Sequence, residues 1–281
     1  MATLNQWVAG ARPRTLPAAV APVVLGTAAA HLLGRSDLAL AILALLVALS
    51  LQVGVNYAND YSDGIRGTDE ARVGPVRLVG QRLAAPANVK AAALLSFAAA
   101  AVAGLALIGL SEAWLMLPLG ALSVLAAWRY TGGDNPYGYR GLGEVYVFVF
   151  FGLMATLGTQ YTQADAVSWF GLIGAVGVGA LASAILVANN LRDIPTDIEH
   201  GKRTLAVRLG DARTRALYTT LVTASVVALG GMAWFEPWVL LALLAVPLGA
   251  RAVRTVRTGP TGRDLIPVLA ATGLYEVAYA A

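Results

Sequence analysis

The run Leu38-Ala-Leu-Ala-Ile-Leu-Ala-Leu-Leu-Val-Ala-Leu-Ser-Leu-Gln52-Val-Gly-Val-Asn56-Tyr57 carries no charged side chain, and it leads straight into Ala58-Asn59-Asp60-Tyr61-Ser62-Asp63. An α-helix needs about 20 mostly apolar residues to cross a hydrocarbon core roughly 30 Å thick. Residues 38–57 meet that need alone, which puts the carboxylates that follow at a membrane edge. Working outward, stretches of the same kind occupy Leu16–Leu33, Val89–Leu110, Trp114–Trp128, Glu144–Tyr161, Ser168–Leu191, Ala216–Trp234, Trp238–Val256 and Leu265–Ala281. The stretch at Trp114–Trp128 is short. The last is still apolar at Ala281, so the natural chain is expected to continue. Lipid leaves backbone groups no partner outside the chain, so only helices and closed barrels span it, and barrel strands need only about 9–11 residues. The expectation is an all-α polytopic bundle of about nine transmembrane helices in one domain, residues 1–281.

Composition agrees. Of 281 residues, 58% are hydrophobic and 13% charged, against about 45–50% and about 25% in soluble domains. There is too little charge to cover a water-exposed surface. With no cysteine and only His31 and His200, thiolate metal sites, iron–sulfur clusters, disulfides and cysteine nucleophiles are excluded. Residues 1–14 lack the basic start and apolar core of a signal peptide. Leu4, Trp7 and Val8 instead suggest a short interfacial helix, followed by an uncleaved first span.

The net charge of +4 does not call for nucleic acid, because the basic residues alternate by loop. They sit before span one (Arg12, Arg14), between two and three (Arg66, Arg72, Arg77, Arg82) and between four and five (Arg129, Arg140). Others lie between six and seven (Arg192, Lys202, Arg203, Arg208, Arg213, Arg215) and between eight and nine (Arg251, Arg254, Arg257, Arg263). The remaining loops hold only Arg35. Excess Lys and Arg marks cytoplasmic loops. This implies a cytoplasmic N-terminus, an odd span count and a multi-pass protein of the cytoplasmic membrane.

Two of those loops carry acids. After span two, Asn56, Asp60 and Asp63 share a face if the helix runs on, being spaced i, i+4 and i+7. After span six, Asn189 and Asn190 precede Asp193, and Asp197 follows by four; Pro195 is expected to interrupt the helix there. Four spans separate the segments, which suggests a duplication with halves near 16–128 and 144–256 plus a ninth helix. One acidic helix end reads as a solvated cap. Two on one side at a membrane edge repel and lose hydration together, which marks a functional site. Magnesium takes hard oxygen ligands, joining one or two carboxylates to substrate phosphates while keeping waters. The expected metal ligands are Asn56, Asp60, Asp63, Asn190, Asp193 and Asp197. Arg72, Arg77, Lys202 and Arg203 are candidates for a diphosphate.

Asn59-Asp60-x-x-Asp63 and Asp193-x-x-x-Asp197 resemble the UbiA superfamily of intramembrane prenyltransferases. Ala11-Arg-Pro-Arg-Thr-Leu-Pro17, Arg72-Val-Gly-Pro-Val-Arg77, Gly141-Leu-Gly-Glu144 and Gly201-Lys-Arg-Thr-Leu-Ala-Val-Arg-Leu-Gly210 are similar to its subgroup acting on 1,4-dihydroxy-2-naphthoate in menaquinone synthesis. Many members place a third aspartate where this chain has Gly67, with Asp69 two residues on. The resemblance implies a magnesium-dependent enzyme with catalytic Asp60, Asp63, Asp193 and Asp197, its site on the cytoplasmic side. It would transfer a polyprenyl group from polyprenyl diphosphate to the naphthoate, with loss of carbon dioxide. Its partners would be these substrates and membrane lipid. Tyr139, Arg140 and Glu144 are expected near the aromatic substrate. Other aromatic acceptors, such as 4-hydroxybenzoate, and more remotely a secondary transporter, are the competing readings.

Overall fold

The computed structural model describes residues 2–68 and 76–281, and among them it is helical throughout. A short α1 (Leu4–Gly10) opens the chain, closed by a capping box in which the Thr3 side chain accepts from the Gln6 N–H and the Gln6 side chain accepts from the Thr3 N–H. Nine longer helices follow: α2 (Pro17–Leu32), α3 (Leu38–Ile65), α4 (Pro86–Ser111) and α5 (Met116–Arg129), then α6 (Gly143–Ala164), α7 (Trp169–Glu199), α8 (Leu205–Met232), α9 (Pro237–Arg257) and α10 (Ile266–Ala280). They fall on the nine apolar stretches. Six are long and apolar enough to cross a membrane, and the pair Leu4–Thr15 and Pro17–Leu32, bent by 50°, makes a seventh. The short α5 and α10, 14 and 15 residues, rise only roughly 21–23 Å.

Which face each helix buries follows from its neighbours. In α7, 78% of the most apolar window is buried, against 17–33% in the other five long helices, so α7 is the central rod. Leu95 and Val102 of α4, Val227 of α8 and Leu244 of α9 point outward as large exposed apolar groups, as lipid-facing positions require. Close approach is made by small residues. A Cβ on Gly152 would fall 2.5 Å from the Gly179 Cα, so α6 and α7 touch backbone to backbone. At that contact α6 widens into a π-helix over Phe148–Met154, the kind of local insertion that often marks functional sites.

Both acidic segments are helical. α3 runs eight residues past the apolar stretch to Ile65 and α7 eight past Leu191 to Glu199. The expected break at Pro195 is therefore corrected: Pro195 lies inside α7. A proline withholds only its own N–H from the residue four back. Beyond it only Thr196 to Glu199 remain, and the Thr196 hydroxyl donates to the Asp193 carbonyl at 3.0 Å. α8 is interrupted instead at Gly210, whose φ of 74° and ψ of 172° suit only a residue without a Cβ.

Candidate active site

A cavity of about 240 Å³ lies between α2, α3, α5, α6, α7 and α10. One end is apolar, with Ala18, Pro22, Leu51, Phe151, Ala155 and Leu269. The other is polar, with Asn56, Asn59, Asp63, Arg77, Asn189, Asn190, Asp197 and Lys202. Between them stands an aromatic wall. Tyr130 meets Tyr137 edge-on at 5.4 Å, Tyr137 stacks on Tyr146 at 3.8 Å, and Tyr146 stacks on Phe150 at 6.0 Å. Phe150 and Phe151, both in the π-helical turn, line the space.

The two acidic segments meet at the polar end. Lys202, beyond α7, sets its Nζ 3.4 Å from Oδ2 of Asp63 on α3, both side chains being buried. Tyr139 joins them. Its hydroxyl donates to Asp63 Oδ1 at 2.5 Å, its ring lies under Lys202 Nζ at 4.6 Å, and its carbonyl accepts from the Arg203 N–H at 3.0 Å. Burial, then the Asp63 carboxylate and its hydrogen bond, push the Tyr139 phenol above its ordinary value of 10, so it remains a donor. Thr204 donates to Asp197 Oδ2 at 3.4 Å.

The acidic side chains divide into two roles. Asp63 and Asp197 line the cavity. Asp60 does not: its carboxylate accepts the N–H groups of Leu78 at 2.7 Å and Val79 at 3.0 Å. On a helix of 3.6 residues per turn Asp60 stands about 60° round from Asp63, so the cavity face of α3 is Gln52, Asn56, Asn59 and Asp63. This corrects the shared face expected for Asn56, Asp60 and Asp63. Asp193 is likewise outside the lining, its two oxygens each 2.7 Å from Nε and a terminal nitrogen of Arg192.

Among the other candidates, Arg77 and Tyr139 line the cavity, and Asn56 and Asn190 do so beside the acids. Arg203 and Arg140 are exposed at the rim. Glu144 is buried outside the lining, accepting from Asn190 Nδ2 at 2.9 Å. Arg72 and Asp69 lie outside the described residues. Sequence reasoning passed over Arg12, Thr15 and Gln52, which line the cavity from the α1–α2 turn and α3. The i, i+4 spacing of Gln52 and Asn56 was the available signal. Glu276 of α10 is wholly buried away from this space.

Among the described residues no three carboxylate or histidine side chains gather closely enough to cage an ion. The donor set nevertheless fits magnesium, which uses one or two carboxylates and completes its octahedron with waters and phosphate oxygens. Asp63 and Asp197, both in the lining, would supply the carboxylates. Asn56 and Asn190 each commit their amide nitrogen to the protein, and among the described residues their carbonyl oxygens take no hydrogen bond.

Residues 19–264 match the family model described as the UbiA prenyltransferase family. A Mycobacterium tuberculosis protein named 1,4-dihydroxy-2-naphthoate octaprenyltransferase is 58% identical over 280 residues, 100% of this chain and 96% of that one. An Escherichia coli protein of the same name is 40% identical over 93% of this chain and 86% of its own. In fold, the chain is similar to a UbiA homologue of Archaeoglobus fulgidus solved with DMAPP and Mg2+, at a TM-score of 0.69 and 14% identity over 98% of this chain and 97% of that one. An apo UbiA homologue of Aeropyrum pernix gives 0.72 at 16% identity, over 93% and 96%. Its apolar helices make the protein an integral membrane protein, and the chain belongs to the UbiA prenyltransferase family.

Proposed function

We propose that this chain transfers a polyprenyl group from polyprenyl diphosphate to 1,4-dihydroxy-2-naphthoate, releasing diphosphate and carbon dioxide to give demethylmenaquinone. The contact that carries the reading is Lys202 on Asp63: it draws both acidic segments to the polar end of a cavity whose other end is apolar. The names of the relatives at 58% and 40% identity support the acceptor. The density of arginines beside the acidic helix ends supports a site facing the cytoplasm.

Asp63 and Asp197, with Asn56 and Asn190, hold magnesium, and Arg77 and Lys202 bind the diphosphate oxygens. Bound magnesium supplies positive charge against the negative charge that grows on the departing diphosphate. Asp60 acts one step back, fixing the backbone beside Arg77, and Asp193 does the same for Arg192. Arg203 and Arg140, exposed beside it, serve the approach to the polar end. The aromatic wall and the alanines facing it keep water from the electron-poor allylic carbon while the electron-rich naphthoate ring attacks. Tyr139 closes the polar end above both substrates. The nearest alternative is the same transfer to 4-hydroxybenzoate.

The test is product formation by purified protein in detergent with magnesium, polyprenyl diphosphate and a panel of aromatic acceptors. The naphthoate is expected to be prenylated without any membrane gradient. Undiminished turnover in chelator, or prenylation of 4-hydroxybenzoate but not of the naphthoate, overturns the proposal.

A further inference from the structure

An asparagine amide is two-faced: one side accepts, the other donates, and only its hydrogen bonds decide which side meets a ligand. Four asparagines line the polar end of the cavity, Asn56 and Asn59 from α3, Asn189 and Asn190 from α7. Each is turned by a specific partner. Asn56 Nδ2 donates to the Ala11 carbonyl at 2.8 Å and to Thr15 Oγ1 at 3.1 Å. The Thr15 hydroxyl spends its own proton on the Arg12 carbonyl at 2.9 Å, so it only accepts from Asn56. Asn190 Nδ2 donates to Glu144 Oε1 at 2.9 Å. Asn59 is wired the other way, its Oδ1 accepting from the Thr131 hydroxyl at 2.7 Å. So is Asn189, whose Oδ1 accepts from Arg192 at 2.9 Å. Each acidic segment therefore offers the cavity one carbonyl oxygen and one NH2 group.

We infer that Glu144 is a positioning residue for cation binding: by accepting from the Asn190 amide it turns Asn190 Oδ1 into the cavity as a metal ligand. With the amide flipped, two oxygens would confront each other across 2.9 Å and an NH2 group would face the cation. Glu144 does not line the cavity, so it reaches the substrates only through Asn190. The inference rests on the magnesium-diphosphate reading above. It differs from a role for Glu144 in removing the acceptor's proton, which would need its carboxylate in the cavity.

Removing such an outer partner costs metal affinity about 10–100-fold. The matching partner of Asn56 is shared, since the Ala11 carbonyl holds the amide as well as Thr15. Thr15→Val is therefore expected to weaken the cation less than Glu144→Leu.

The test measures Mn2+ binding to the full chain in detergent by paramagnetic resonance, with inorganic diphosphate present, and the pH dependence of turnover. Glu144→Leu fills the volume but cannot accept, and Asn190→Ala removes the ligand. Both are expected to weaken Mn2+ about 10–100-fold, and the double variant no further. Glu144→Gln keeps an acceptor and is expected to bind within about threefold of wild type with an unmoved pH profile. Wild-type affinity in Glu144→Leu or in Asn190→Ala overturns the inference. So does a Glu144→Gln variant that binds Mn2+ normally but no longer turns over, because that makes Glu144 a proton acceptor. Should Glu144→Leu fail to fold, Glu144→Gln and Asn190→Ala still decide. Failure of the wild type to bind Mn2+ with diphosphate refutes the magnesium reading itself; normal wild-type binding with unaffected variants refutes only the role of Glu144.

Discussion

Replacing Lys202 by methionine keeps the length of the side chain and removes a cation 3.4 Å from Asp63 Oδ2, at a site where both side chains are at most 5% exposed. At that separation, with an effective dielectric constant of about 20, the gross attraction is about 5 kcal/mol. Much of it offsets the desolvation of the two charges. Removing one partner of a buried pair costs about 3–5 kcal/mol. Lys202→Met is therefore expected to lower thermal stability in detergent by several degrees, and to lower turnover as well, because the proposed function gives the same ammonium to the diphosphate. The double variant Lys202→Met/Asp63→Asn removes both charges and separates the effects. It is expected to regain most of the lost stability, as neutral replacements of buried pairs commonly do, while staying inactive. The assay is thermal unfolding of wild type and the two variants in chelator, read beside product formation with magnesium. A Lys202→Met variant as stable and as active as wild type refutes the reasoning. So does a double variant that recovers turnover along with stability.

Four further outcomes follow from the geometry. Tyr139→Phe removes the donor to Asp63 at 2.5 Å but keeps the ring under Lys202, and is expected to reduce kcat about 10–100-fold with little change in unfolding temperature. Because the Tyr139 phenol lies above its ordinary value of 10, it stays protonated below that pH and lost donation appears only as pH rises beyond it; a wild-type pH–rate profile with a tyrosine limb below pH 9 would contradict this. Asp60→Ala strands the N–H groups of Leu78 and Val79, at about 1–3 kcal/mol for a buried unmet donor, and is expected to raise the KM for prenyl diphosphate through Arg77 while Mn2+ affinity falls less than in Asp63→Ala; equal losses of Mn2+ in the two variants would return Asp60 to the metal. Gly152→Ala sets a methyl 2.5 Å from the Gly179 Cα, and is expected to destabilise by about 1–3 kcal/mol, measured as a fall in unfolding temperature; an unchanged value would show that α6 and α7 can part freely.

The helices were legible because lipid leaves few solutions: a run such as residues 38–57 is long enough to cross and has no charge to hold it in water. The extent of α3 and α7 was less so. Their last eight residues are polar because they line or flank a site, and hydropathy registers that as the end of a helix. Pro195 added to the error, since a proline near a helix end breaks few bonds. The candidate site was legible as a neighbourhood. The acids stood out as charges at a membrane edge, but which of them faced inward did not. Asp60 and Asp63 differ by three residues, and what claims Asp60 is the Leu78–Val79 backbone, which is distant in sequence. The aromatic wall escaped notice because Tyr130, Tyr137 and Tyr146 come from the end of α5, the turn after it and the start of α6, which no single helical period joins. The amide orientations of the four asparagines were hidden for a similar reason. Three of them are set by Thr15, Thr131 and Glu144, which come from other helices and loops.

The proposed function requires Asp63 and Asp197 together to hold a cation against a diphosphate. The most direct measurement is a structure of this protein with Mn2+ and a polyprenyl thiodiphosphate that cannot react, located by the anomalous scattering of manganese. Manganese is expected within bonding distance of Asp63 and Asp197, with Asn56 and Asn190 oxygens turned toward it and the tail along Phe150 and Phe151. Manganese at the exposed rim, with the diphosphate outside the cavity and both aspartates still bound only to the protein, would contradict the account.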